Sequence, residues 1–237
     1  PEAAIPIIPQ NTPLFLSKIA RLAKENTTVL ITGIPTYDPT TSSYYNSALS
    51  LGETTGQYNK TKLVPFGEYV PLEPLLRGLI RFFDLPMSNF SPGKKDQDPL
   101  IAHGHKIASA ICYEVVYPDL VAKNSIGASI ILTMSNDSWF GNSLALPQHL
   151  QMAQMRAIEL SKPILRATNN GLTAIIDHKG RITHRLDPFT STELSGIIQP
   201  MTGQTPFSKF GSMPCIAFCL IVIVFFTCLK LRKKFLR

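Results

Sequence analysis

Cysteine is nearly absent from the body of this 237-residue chain. Cys112 stands alone in the first 212 positions, and Cys215, Cys219 and Cys228 follow near the end. That usage excludes a small disulfide scaffold. Charge is sparse too, at 16% against about 25% in ordinary soluble domains. With a mean hydropathy of +0.09, this excludes a disordered or fully solvated chain. No histidine or cysteine spacing matches a metal site, and no cofactor is called for. Internal repeats and low-complexity stretches are absent. The net charge of +7 is largely local: five of the 23 basic residues (Lys230, Arg232, Lys233, Lys234, Arg237) lie in the last eight positions, which hold no acid. The remaining 18 bases nearly balance 16 acids, so nothing points to a nucleic-acid partner.

What the end does contain is a long apolar run. Residues 213–229 (MPCIAFCLIVIVFFTCL) hold no charged side chain. As a helix they span roughly 26 Å, slightly short of a bilayer core of about 30 Å. Snorkelling by Lys230 brings Leu231 into the span. The expected division is a body over 1–205, a linker over 206–212, a transmembrane helix over 213–231 and a basic tail over 232–237. The positive-inside rule puts that tail in the cytoplasm and the body on the opposite side of the membrane. The chain opens on Pro1-Glu2, with no initiator or signal peptide. Because an exported domain needs a carrier, the expectation is an N-terminally truncated sequence whose missing part includes a membrane segment.

The body reads as alternating strands and helices, an α/β layered fold. Helices are expected over 13–26, 71–83, 119–123 and 147–162. Strands are expected over 28–32, 43–51, 106–111, 128–133, 164–168, 172–177, 181–185 and 194–198. The run 91–99 (SPGKKDQDP) reads as a loop.

Cys112 ends the apolar strand Ile107-Ala108-Ser109-Ala110-Ile111 and is followed by Tyr113-Glu114. A lone cysteine is commonly buried and inert, but at a strand-to-loop corner a thiol is open to substrate while the sheet holds it still. As a nucleophile it needs a base for its proton and a cation nearby. None of the five histidines stands out for either task; each reads as structural or exposed. Two lysines, Lys60 and Lys62, sit in the polar, Pro/Gly-rich run QYNKTKLVPFGE (57–68). Two residues apart in an extended chain, they point the same way, and spacing does not separate them.

Longer strings carry more. Pro-Glu at the start, YNKTKLVPFGE in the middle and ICYE later resemble the Glu–Lys–Cys sites of the nitrilase (carbon-nitrogen hydrolase) superfamily. VPFGEYVPL (64–72), ICYEVVYPDL (111–120), SNDSWFG (135–141), QHLQMAQMRAIE (148–159) and RATNNGLTAIID (166–177) are similar to its apolipoprotein N-acyltransferase branch, almost end to end. The resemblance implies a nitrilase-like αββα sandwich followed by one C-terminal transmembrane helix. It implies Glu2 as base, Lys60 as catalytic lysine and Cys112 as acyl-accepting nucleophile, with Glu68, Tyr113 and Glu114 in support. It favours Lys60 over Lys62, because Tyr58-x-Lys60 matches the family's Tyr-x-Lys. It implies no metal and no cofactor. The reaction expected is transfer of a fatty acyl group from a membrane phospholipid, through a thioester on Cys112, to the terminal amine of a diacylglyceryl-cysteine on an apolipoprotein. The place implied is a bacterial inner membrane, with the catalytic domain periplasmic.

The chain departs from the family in three respects. The membrane helices that precede the family's glutamate are not in this sequence, the residue before Pro1 (commonly Trp) is missing, and Gln154 replaces the usual Arg. Glu2 is therefore expected at a fraying terminus. Leu75-Leu76, Leu79-Ile80 and Phe82-Phe83 suit either an interfacial arm or a core helix. Trp139-Phe140-Gly141 suits either a lid or membrane-facing loop, or a turn around a buried Trp. Two other functions stay open at the sequence level: hydrolysis of a small amide or nitrile, and a membrane-anchored binding module that has lost activity.

Overall fold

The computed structural model describes residues 1–71 and 89–235, the side chains of 231–235 excepted. The helix expected over 71–83, with its interfacial arm, falls almost wholly outside the described residues.

Two sheets lie face to face. The smaller has the order β1-β2-β3: Val29–Asp38, Ser43–Gly52 and Gly56–Asn59, all antiparallel. The larger runs β4-β5-β6-β7-β8-β9: Leu100–Ala102, His105–Ile111, Ile130–Ser135, Ile164–Thr168, Ala174–Ile176 and Ile182–Arg185. Its centre, β5-β6-β7, is parallel, and its flanks are antiparallel. β6 (IILTMS) is buried at all six positions, as a parallel strand covered on both faces must be.

Helices close both outer faces. α1 (Pro13–Glu25) packs on β2. α2 (Pro118–Asn124) and α3 (Ala145–Leu160) are the crossovers of the parallel strands. Leu146, Leu150, Ala153, Ala157 and Leu160 recur at helical spacing on α3 and meet Ala108, Ala110, Ile131 and Ile164 of the large sheet. A second core fills the space between the sheets, where Ala48 and Tyr58 meet Ile107, Ile111, Ile130, Leu132 and Met134. The order of layers is helix, sheet, sheet, helix, the expected αββα sandwich. α4 (Pro206–Phe210) and α5 (Met213–Phe235) complete the described elements.

Three expectations change. The stretch 194–198 is not a strand; it crosses the sheet instead of joining its edge. Gly196 lies against Ile175 and His184, and Ile198 packs against the core between the sheets. The polar run around Tyr58 supplies β3, whose buried Tyr58 sits opposite Ala48. The stretch 206–212 carries the helical turn α4, with Phe207 packed on the α3 core.

Candidate active site

The parallel centre of the large sheet places three polar corners side by side. Cys112 follows β5, Asn136 follows β6 and Asn169 follows β7. Open α/β sheets present their ligand-binding groups at these carboxyl ends. Cys112 opens a short 3-10 turn, Cys112–Val116, and its φ of 51° lies in the left-handed region. For a residue with a Cβ such a conformation costs roughly 1–3 kcal/mol and is held by its surroundings. Part of that hold is His149 on α3, whose Nε2 lies 3.3 Å from the Cys112 carbonyl oxygen.

Glu2 reaches this place from the start of the chain and does not fray. Its segment lies along the free edge of β1: Gly33 N–H donates to the Pro1 carbonyl at 3.2 Å, and Ile5 N–H to the Gly33 carbonyl at 3.2 Å. Only glycine fits there, because a Cβ on residue 33 would stand 2.3 Å from the Pro1 oxygen and 2.8 Å from Glu2 Cα. The Glu2 carboxylate is buried. Oε1 accepts from Asn46 Nδ2 at 2.7 Å and Lys60 Nζ at 3.3 Å, and Oε2 accepts from Asn136 N–H at 2.7 Å. Asn169 Nδ2 donates to the Glu2 carbonyl at 3.0 Å.

Lys60 is 1% exposed and lies just beyond β3. Its ammonium sits 2.8 Å from Glu68 Oε2 and 3.3 Å from Glu2 Oε1. Glu68 is itself fixed by Val64 N–H at 2.8 Å and by Asn46, which bridges both carboxylates. Burial opposes the Lys60 charge, but Glu2, Cys112 and Glu68 outweigh it and hold the ammonium above the usual lysine range. Burial pushes the Cys112 thiol up to about 12 and Glu2 adds to the effect; Lys60 and Ser135 pull against it without reversing it. The resting nucleophile is therefore a neutral thiol.

Of the residues expected in support, Glu68 joins the cluster and two do not. Glu114 is fully buried, and its bonds run to Ile111 N–H, Thr61 N–H, Lys62 N–H, the Thr61 hydroxyl and the Tyr58 hydroxyl at 2.7–3.2 Å. It ties the chain after Lys60 to the strand before Cys112. Burial raises its carboxyl, and these donors work the other way. Tyr113 stacks edge-on against Tyr117, centroids 5.1 Å apart.

Sequence reasoning gave no role to a charged cluster behind Cys112. Asp137 accepts from the Ser135 hydroxyl, lies 3.0 Å from His149 Nδ1 and accepts from Arg166 Nη2 at 2.8 Å. All four residues are buried. Burial works against the Asp137 charge, yet His149 and Arg166 hold its carboxyl below the usual range. A signal did exist. Ser135, Asp137, His149 and Arg166 all fall within the strings that carry the resemblance, and Ser135 and Arg166 lie on neighbouring parallel strands. At the rim, Trp139, Phe140 and Leu144 are 82%, 42% and 77% exposed, so the turn does not bury its Trp.

A buried carboxylate, a buried lysine and a cysteine at a strand corner between two stacked sheets define a class, and the chain belongs to it. The carbon-nitrogen hydrolase family matches over residues 1–207. More particularly, the chain is 49% identical over 225 residues to a protein of Pseudomonas syringae pv. tomato named apolipoprotein N-acyltransferase, and 44% identical over 224 residues to one so named from Vibrio parahaemolyticus. These alignments take in 94% and 90% of this chain but 44% of each relative, so the chain spans less than half the length of the curated relatives it matches. Among solved structures, Saccharomyces cerevisiae Nit3 of the nitrilase superfamily aligns at a TM-score of 0.56 and 20% identity, over 73% of this chain and 60% of that one. An amidase from Nesterenkonia sp. aligns at 0.54 and 18%, over 78% and 66%. At such identities the likeness concerns the fold alone.

Proposed function

We propose that this chain carries the catalytic part of an apolipoprotein N-acyltransferase. One observation carries the reading: Glu2, Lys60 and Glu68 form a buried, interlocked acid–base cluster beside the thiol of Cys112, in a chain whose curated relatives bear that name. The thiol is neutral at rest, so its proton leaves as it attacks. Glu2 takes that proton while the sulfur adds to the ester carbonyl of a phospholipid. Lys60 and a backbone N–H near Tyr113 stabilise the oxyanion. The lysophospholipid alcohol departs with the proton, leaving a thioester on Cys112. The α-amine of a diacylglyceryl-cysteine then attacks, the amide forms, and the thiol is restored. Glu68 keeps Lys60 in place, and Glu114 keeps the two catalytic segments in register. Trp139, Phe140 and Leu144 offer an apolar rim suited to lipid.

In this reading residues 1–205 do the chemistry on the periplasmic side of a bacterial inner membrane. α5 is apolar over Met213–Lys230, with none of that window covered by the rest of the protein, and it crosses the bilayer. The tail at 232–237 lies in the cytoplasm.

Mass spectrometry after incubation with phospholipid vesicles tests the chemistry. The expected result is an acyl mass on the Cys112 peptide that hydroxylamine removes, and none in Cys112→Ser. Ammonia release from small amides with no acyl adduct would select the hydrolase instead. Full transfer by a clean Cys112→Ser preparation would remove Cys112 from the mechanism.

A further inference from the structure

The path from the sandwich to α5 is bonded to the body along its length. Met201 N–H donates to the Ser129 carbonyl at 3.0 Å. Lys162, only 2% exposed, directs its ammonium at the carbonyls of Met201 and Gly203, 3.4 and 3.3 Å away. Burial lowers the affinity of that amine for its proton, so the two strap carbonyls compensate a cation set at the end of α3. The Thr205 hydroxyl donates to the Glu159 carbonyl at 2.6 Å and also caps α4 at Ser208. Phe207 enters the α3 core. At the root of α5, Asp119 accepts from Ser212 N–H and from the Ser212 hydroxyl, both at 2.8 Å. Gly211, at φ 59°, makes room for that carboxylate: a Cβ there would lie 2.3 Å from Asp119 Oδ1.

These attachment points are not scattered. Asp119 belongs to α2, which begins directly after the Cys112–Val116 turn. Glu159 pairs with Arg156, whose guanidinium donates to the Val115 carbonyl at 3.2 Å within that same turn. The root of the apolar helix is thus tied to the two elements that hold the nucleophile.

We propose that residues 201–212 are a rigid mount, with Asp119 and Thr205 as positioning residues, which fixes the height and tilt of the Cys112 site over the bilayer so that a membrane-held ester meets the thiol. The inference rests on the acyltransferase reading for its purpose, but its test does not depend on acyl chemistry. In the intact protein, a six-residue Gly-Ser insert between Ser212 and Met213 frees the body from α5 without touching the body. The double variant Asp119→Ala/Thr205→Val loosens the mount itself. Labelling of the Cys112 peptide is followed with two maleimides: one on the headgroup of a lipid in phosphatidylcholine vesicles holding the protein, and soluble N-ethylmaleimide.

The expected result is roughly a tenfold or greater loss of labelling by the vesicle-borne probe in both proteins, with soluble labelling within about twofold of the unaltered protein. Unchanged labelling from the vesicle would overturn the mount. So would a parallel fall with both probes, which is what a merely structural role for these residues gives. If the unaltered protein takes the lipid maleimide but never an acyl group from phospholipid, the acyltransferase reading fails and the mount stands.

Discussion

Lys60 and Lys62 are two residues apart and live in different chemical worlds. β3 ends at Asn59, so the extended geometry that would have aimed both lysines the same way stops just before them. Lys60 N–H donates to the Asn46 carbonyl and Gly93 N–H donates to the Lys60 carbonyl, both at 2.8 Å. Pinned on both sides, Lys60 delivers its ammonium between Glu2 and Glu68. Lys62 stays exposed, its ammonium 5.5 Å from the centre of the Tyr117 ring. Lys60→Ala is therefore expected to lower acyl transfer by about 10²- to 10³-fold, and Lys62→Ala to cost only a few-fold. Transfer rates measured at equal expression check this; a dead Lys62→Ala beside a near-normal Lys60→Ala would reverse the assignment. A lone thiol at the end of an apolar strand was readable from the sequence. The partners of the buried groups were not, because Asn46 meets Glu2 and Glu68 through sheet register across 44 and 22 residues, and no local pattern encodes that.

At the scale of elements, periodicity located α3 and the central strands well, since each buries one face or both. It also located α1, although there Leu16 alone is buried and Leu14 and Leu22 are exposed. Periodicity stopped short on β1, read as 28–32 but running Val29–Asp38. Gly33 and Pro35 look like strand breakers. On an edge strand Pro35 is tolerated, and Gly33 is the contact that admits Glu2. This gives Gly33→Ala a specific consequence. The new methyl would overlap the Pro1 carbonyl and Glu2 Cα. The part that yields is the segment carrying Glu2, held to Gly33 by two backbone bonds, not the ten-residue pairing of β1 with β2. Overpacking of this kind costs about 1–3 kcal/mol. A displacement of about 1 Å at a catalytic group costs on the order of 10²-fold in rate. The expected outcome is a protein that melts close to the original but transfers acyl groups roughly 100-fold more slowly. A normal rate would mean that the seat of Glu2 tolerates the methyl. The misread stretch at 194–198 has the opposite lesson: a short apolar run also suits a segment laid across a sheet, where Ile198 meets the core and Ile197 stays exposed.

The whole molecule joins a stable αββα body to an apolar helix that continues through the basic cluster as far as Phe235. With 23 residues, that helix is about 34 Å long, more than the roughly 30 Å of a bilayer core. A reporter fused after Arg237 is expected to be active when it requires the cytoplasm and silent when it requires the periplasm. The reverse pattern would invert the topology. The composition made the apolar helix legible at once, as the strongly apolar, uncharged run 213–229 is followed by five bases in the last eight positions. The bonded path from 201 to 212 was not legible, because Pro, Gly, Ser and Thr read equally as loose linker and as strap.

The neutral state of Cys112 bears on how long such a protein lasts. Oxidants and stray electrophiles attack the thiolate. With its thiol pushed up to about 12 by burial, the resting site holds little thiolate at neutral pH. A free thiolate is ordinarily spent by sulfenic acid formation or by mixed disulfides. Burial thus slows the thiol toward adventitious reagents without closing it to them, and in the proposed mechanism the same burial makes proton transfer to Glu2 a necessary part of the attack.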